Sequence, residues 1–399
     1  PGDAFNAERW QRDLSRLYNT RYFENVEDRT PQSFRDGNKV DHVGVVTEAR
    51  TGVFNIGVTL DPRNSFAGIL SLADTNFRGT GQSISLNYTQ ATVGGGASSS
   101  LSYTNPFIDR KDTTLKFELY SRLNFRFANA GFGSGGTSPT DNRYTERRTG
   151  GSLGFQRPTN TFDTLGLSGR FEQVKTSDLD TTTNNNFIQQ DGNITAVSLI
   201  AISNHRDVDT DPSRGYFARF DLEPGLANIT KVGGLANPSN TNLGRQFFTK
   251  GSFDLRTYMT RQPPRRRSLV EARRVLAFWV RGGSIAGSIP FFEQYFVGGA
   301  DSVRGYQEDR FWGKNFVVGT AEYRSPISES LSLVAFLDYG GAWGGFGTVN
   351  NFTQSRSIRL HPGYGLGVRV RTPIGPIRLD YGFNEEGGSR AHFSIATSF

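Results

Sequence analysis

Residues 298–306 read Gly-Gly-Ala-Asp-Ser-Val-Arg-Gly-Tyr. Arg304 stands there among small residues and glycines, in a long connection between two alternating apolar runs, 275–284 and 316–324. A guanidinium is planar, always charged, and able to hold a carboxylate through two parallel hydrogen bonds. In such a loop it has a purpose if the loop folds back and the charge meets carboxylates in an enclosed space. The chemistry on offer is ion pairing rather than bond making. His42, His205, His361 and His392 are scattered without metal-ligand spacing, and the chain has no cysteine. No glycine-rich loop leads from a strand into a helix, and no nucleophile elbow is recognisable. The residues therefore point to a protein with no catalytic residues, no metal and no cofactor.

Parity places two candidate partners for the arginine. Alternate residues of a strand face opposite sides. In 313–325, Thr320, Glu322 and Arg324 share one face, opposite Val317, Gly319, Ala321 and Tyr323. In 331–340, an apolar face of Leu331, Leu333, Ala335, Leu337 and Tyr339 turns Asp338 the other way. Glu322 and Asp338 thus point inward from neighbouring strands and can meet Arg304 if its loop dips inside. Arg324, Arg369, Arg371 and Arg378 are equally available to them, so the residues alone leave both pairings open.

These side chains need a scaffold of strands. From residue 53 onward helical periodicity disappears, and sixteen strand candidates follow: 53–60, 65–74, 81–91, 97–104, 113–127, 144–157, 162–176, 192–204, 215–224, 245–260, 272–285, 313–325, 331–340, 361–371, 375–384 and 390–399. Many approach the roughly ten residues that a tilted membrane-spanning strand needs, and the count is even, as in closed bacterial barrels. In 113–127, Leu115, Phe117, Leu119, Leu123 and Phe125 alternate with Lys116, Glu118, Tyr120, Arg122, Asn124 and Arg126. In 375–384, Ile377, Leu379, Tyr381 and Phe383 oppose Arg378, Asp380 and Gly382. A soluble sandwich would also alternate. Arginine and glutamate at successive inward positions favour a wet lumen over a second apolar core.

Composition agrees. Hydrophobic residues are 35% of the 399, aromatic residues reach 13%, and glycine numbers 47. Only every second strand residue of a membrane barrel must face lipid. No run of 18 apolar residues exists, so no transmembrane helix is expected. The net charge of +7 is dispersed within strands, which suits a lumen lining, and nucleic acid is not an expected partner. Short turns, such as 157–160 and 372–376, alternate with long Gly/Ser/Thr/Asn-rich loops, such as 129–142 and 177–186. That sidedness puts the short turns in the periplasm. The basic turn 261–267 then faces the periplasm, as a solvated turn or a contact for acidic partners or lipid phosphate.

Residues 1–51 differ. Phe5, Trp10, Leu14, Leu17 and Tyr18 recur at helical spacing after Asn6, a potential N-cap, and strands are expected near 22–27 and 39–48. Helix, strand, strand is too little to stand alone. The expected organisation is a partial α+β module over 1–51, which reads as the end of a trimmed unit, and a barrel over 52–399. The fold class is all-β: a sixteen-stranded antiparallel transmembrane β-barrel preceded by that module.

The segments 298–306, 336–343 (FLDYGGAW) and 372–382 (TPIGPIRLDYG) resemble the BamA-type outer-membrane assembly factors, a superfamily that includes two-partner secretion translocators and chloroplast outer-envelope channels. The stretch 16–28 (RLYNTRYFENVED), followed by a valine-rich strand, is similar to the second half of a polypeptide-transport-associated (POTRA) repeat, and the chain ends in the aromatic Phe399. The resemblance maps the family loop motif onto Val303, Arg304, Gly305 and Tyr306, with Glu322 and Asp338 as lumen partners of the arginine. It implies insertion of β-barrel proteins into an outer membrane. The clients are unfolded outer-membrane proteins, and the setting is outer-membrane lipid with accessory subunits on the periplasmic side. A chloroplast-type outer envelope is the second location. A lateral seam is expected where the first strand, with Gly52 and Gly57, meets the last, with Phe393 and Phe399. Glycine weakens strand packing, although it also permits simple curvature. The alternative function is export of a dedicated protein through the lumen. A passive porin is disfavoured by the arginine loop and the module.

Overall fold

The structure, a computed structural model, describes residues 6–20, 22–29, 43–61, 65–91, 96–127, 144–178, 189–209, 211–233, 243–263, 271–347, 354–371 and 377–395. The N-terminal part forms helix α1 (Ala7–Asn19) and an antiparallel pair, β1 (Phe23–Asp28) and β2 (Gly44–Glu48), with Val26 opposite Val46. The helical spacing of Trp10, Leu14 and Tyr18 turns one face of α1 onto β1, where Leu14 and Val26 become buried. The strand expected at 39–48 begins at Gly44; residues 39–42 lie outside the described set.

Sixteen antiparallel wall strands follow, in ring order. They are β3 (Gly52–Asp61), β4 (Ser65–Phe77), β5 (Gln82–Ala91), β6 (Ala97–Asn105), β7 (Thr114–Arg126), β8 (Tyr144–Pro158), β9 (Asp163–Asp178), β10 (Gln189–Asn204), β11 (Gly215–Gly233), β12 (Gly244–Met259), β13 (Val275–Gly287), β15 (Phe311–Pro326), β16 (Leu331–Gly344), β17 (His361–Val370), β18 (Ile377–Asn384) and β19 (Ser389–Ile395). A three-residue strand, β14 (Tyr295–Val297), pairs with the upper end of β15. β19 lies beside β3 and closes the barrel.

Alternation decides which face each side chain takes. On β10 and β11, Leu199, Phe220 and Leu222 face outward, half exposed, while Ile194, Ile200 and Ala227 are buried inside. Large apolar side chains exposed on every wall strand from β3 to β18 have no place in water; they fit hydrocarbon. The spanning requirement is about 9–11 residues per strand. The 15 to 19 residues of β8–β12 exceed it, so that wall rises above the β17–β18 wall, whose strands have 10 and 8.

Two elements correct the sequence reading. The strand expected to stop at Pro224 runs to Gly233, with Pro224 opposite Thr249. One missing N–H donor interrupts a ladder without ending it when residues on either side pair with both neighbours. β14 was not expected, because three residues are too few to show a period.

The N-terminal unit sits under the barrel mouth. Tyr22 Oη donates to the Gly81 carbonyl in the β4–β5 turn at 3.0 Å. Val208, in the β10–β11 turn, joins Leu14 and Val26 in one buried cluster, and the Asp209 amide donates to Asn19 Oδ1 at 3.2 Å. The same turn reaches the C-terminal wall, where Arg371 Nη2 donates to Asp211 Oδ2 at 2.7 Å. Contacts at two separated turns lay the module across the mouth.

Candidate functional site

The connection between β13 and β15, residues 288–310, leaves the end of the barrel opposite α1 and lies inside the lumen. A single turn of 3-10 helix at Phe291–Glu293 starts it and β14 continues it. Ile289 and Phe292 pack onto inward residues of β9–β13, among them Val174, Ile194 and Phe248. Val303 and Tyr306 pack with Val297, Phe311 and Val318. The loop is thus held first by apolar burial.

Arg304 is 2% exposed and sits among carboxylates from three strands. Its Nε and Nη2 donate to Asp338 Oδ2 and Oδ1 at 2.7 and 2.8 Å, a bidentate pair. Its Nη1 donates to Glu322 Oε1 at 2.7 Å and to Asp380 Oδ2 at 3.2 Å. Its backbone amide donates to Asp338 Oδ2 at 3.0 Å. The guanidinium also lies over the Phe336 ring, 3.5 Å from its centroid. Thr320 Oγ1 donates to Asp338 Oδ1 at 2.9 Å, which fixes the carboxylate that the arginine clasps.

The two pairings left open by parity coexist at Glu322, whereas among the described residues Asp338 pairs with Arg304 and with no neighbouring lumen arginine. Arg324 Nε reaches Glu322 Oε2 at 3.1 Å, and Arg369 Nη2 reaches Asp380 Oδ2 at 3.0 Å while Arg304 holds both carboxylates. Arg378 also approaches Asp380, at 3.5 Å. Arg371 takes no part and pairs with Asp211 at the module end. Asp380, whose inward facing was readable, is a partner of Arg304 that sequence reasoning did not name.

Close backbone approach explains the neighbouring glycine. Gly305 has φ +93°, and a Cβ there would lie 2.6 Å from the Phe383 carbonyl oxygen. The Gly305 amide donates to His392 Nε2 at 3.1 Å, and its carbonyl accepts from Asn384 Nδ2 at 2.7 Å. Tyr306 stacks edge-on against Phe311, with centroids 5.2 Å apart.

Sequence reasoning missed a second charged contact in this loop. Glu293, also 2% exposed, accepts from Arg148 Nη1 at 2.9 Å and Arg170 Nη2 at 3.0 Å, and pairs with Lys250 Nζ. Burial would raise its carboxyl, yet Lys250, Arg170 and Arg148 hold it well below the ordinary carboxylate range. The signal available was one acid among aromatic residues, with no periodicity to orient it. Above it, Phe127 and Phe291 each meet Phe296 and Trp312 edge to face, with centroids 5.4 to 6.5 Å apart, and roof that end of the lumen.

The seam residues are placed less fully. Gly52 opens β3 and is exposed, and a Cβ there would meet nothing within 4 Å, so no steric demand requires glycine. Gly57 lies within β3, and Phe393 within β19 is half-buried. Phe399 lies outside the described residues, as do most of the turn 261–267 and the loop 129–142. Among the described residues, no group of three or more His, Asp or Glu side chains is arranged to hold a metal ion.

The chain is 26% identical over 414 residues to the chloroplastic outer envelope protein 80 of Oryza sativa subsp. japonica, covering 99% of this chain and 57% of that protein. It is 25% identical over 430 residues to the outer membrane protein assembly factor BamA of Nitratidesulfovibrio vulgaris, covering 100% and 48%. The chain thus spans about half the length of these relatives. Solved structures sharing the fold include BamA from Haemophilus ducreyi lacking POTRA domains 1–3 (TM-score 0.61, 16% identity, 97% of this chain and 77% of that one). CdiB from Acinetobacter baumannii also shares it (TM-score 0.54, 14% identity, 100% and 69%). A family model described as the Omp85 superfamily domain matches residues 76–399, and the chain belongs to that superfamily.

Proposed function

We propose that this chain is the membrane part of a machine that folds β-barrel proteins into an outer membrane, of bacterial type or of a plastid envelope. One observation carries the reading: the lumen is occupied by the 288–310 loop, pinned through Arg304 to β15, β16 and β18 and roofed by aromatic rings. A filled lumen suits work done at the wall. In hydrocarbon an unpaired strand edge is costly, and a client strand can satisfy it by adding to the sheet. The junction of β19 with β3 is the site of that exchange. The relatives described as BamA and outer envelope protein 80 support this reading.

Residues 1–51 are read as a partial POTRA module facing the periplasm, where the exposed Val43 and Val46 offer a surface to clients or accessory subunits. Depleting the protein and taking a census of heat-modifiable outer-membrane proteins tests the function. Loss of many unrelated barrel proteins is expected. Loss of a single secreted protein, with barrel proteins intact, would instead support export of a dedicated protein through the lumen.

A further inference from the structure

We propose that Glu293 is a positioning residue that sets the Arg304 loop from the opposite wall, making residues 293–304 a strap held at two points by charges of opposite sign. At one end the loop supplies a cation to wall carboxylates on β15, β16 and β18. At the other it supplies an anion to wall cations on β8, β9 and β12. These strands belong to different arcs of the ring, so the strap crosses the lumen. Neither contact is incidental, because each loop side chain is almost wholly buried and touches three strands.

The wall networks explain why such contacts hold the loop yet remain exchangeable. Arg148 also pairs with Glu146 and Glu172, and Arg170 with Glu172 and Glu223. Glu322 and Asp380 likewise have Arg324 and Arg369. Most wall charges at both ends therefore keep partners when the loop charge leaves. Lys250 and Asp338 depend most directly on the loop, through Glu293 and through the bidentate Arg304. The backbone strengthens the first anchor: Arg148 Nη2 donates to the Phe292 carbonyl at 2.6 Å, and the Phe291 amide donates to Gln190 Oε1 at 2.6 Å. The return limb is tied separately, with Gln307 Nε2 donating to the Phe127 carbonyl at 2.7 Å. The apolar cluster around Phe292 and these backbone contacts remain when the Glu293 charge is lost, so the loop loosens at that end rather than unfolding.

The inference concerns loop placement, and its link to activity rests on the assembly reading above. The test uses the whole protein in planar bilayers, comparing Glu293→Gln, Arg304→Ala and the double variant by single-channel current and by protease protection of the loop. Glu293→Gln keeps the shape and removes the charge. It should raise the open fraction roughly tenfold or more, the scale of one lost charged hydrogen-bond partner, with barrel mobility on gels unchanged. The double variant should open no more than the more open single variant, because both anchors hold one strap. Glu293→Asp, which keeps the charge on a shorter arm, should fall between wild type and Gln, and it serves in place of Gln if that variant fails to fold. Unchanged current and protection in Glu293→Gln, or openings that multiply in the double variant, would overturn the proposal. Altered loop readouts with normal client assembly would leave the strap standing and count against the assembly function instead.

Discussion

Arg304 clasps Asp338 with three donors: Nε at 2.7 Å, Nη2 at 2.8 Å and its own backbone amide at 3.0 Å. The loop is therefore fixed both by side chain and by main chain to the inner face of β16. Arg304→Ala removes the side-chain half and leaves Asp338 and Glu322 buried. Breaking a buried pair by deleting one partner costs about 3–5 kcal/mol. The barrel should still assemble, while the loop becomes protease-sensitive and activity falls sharply. Arg304→Lys should not restore it, because an ammonium cannot reproduce the planar two-pronged contact. Limited proteolysis of membrane-inserted protein checks both variants.

Gly305→Ala should resemble Arg304→Ala without removing any charge. The residue has φ +93°, and its new methyl would press on the backbone of Phe383. Such a conformation costs a non-glycine residue about 1–3 kcal/mol. Proteolysis of the loop, compared with Gly387→Ala at a turn where a Cβ meets nothing, separates crowding at the strap from strain alone.

Leu101 and Ser102 are adjacent on β6 but face opposite sides, lipid and lumen, and Ser102 lies opposite Glu118. Leu101→Lys should destabilise the folded barrel by about 2–4 kcal/mol if it lies at the bilayer midplane. Ser102→Lys should be near neutral, since the lumen is wet and offers a carboxylate. Urea titration in lipid vesicles measures both. Equal effects would contradict the assigned facing.

Val208 is buried between Leu14 and Val26 at the module interface. Val208→Asp removes an apolar contact of about 1.5–3 kcal/mol and places a charge in the cluster. Hydrogen exchange should quicken in α1 while the wall strands keep their protection.

The wall was legible because a membrane barrel imposes a two-residue period on nearly every strand, and that period faced Glu322, Asp338 and Asp380 inward. Facing is local; which carboxylates a loop reaches depends on how neighbouring strands are stacked. Hence Asp380 was readable as a lumen residue and not as a partner of Arg304. Glu293 was illegible for a further reason. Its loop has no period, and its burial comes from Arg148, Arg170 and Lys250, which lie far away in the chain. The end of β11 was hidden by Pro224, whose missing donor mimics a strand terminus.

On the proposed function, clients enter the membrane at the junction of β19 and β3. The chain has no cysteine, so introduced pairs have a clean background. Cysteines scanned along 52–56 and 389–393 will give a pair that cross-links in the folded barrel. With that pair oxidised, assembly of client barrels into vesicles should stop, and reduction should restore it. Assembly at the full rate with the junction covalently closed would contradict the account.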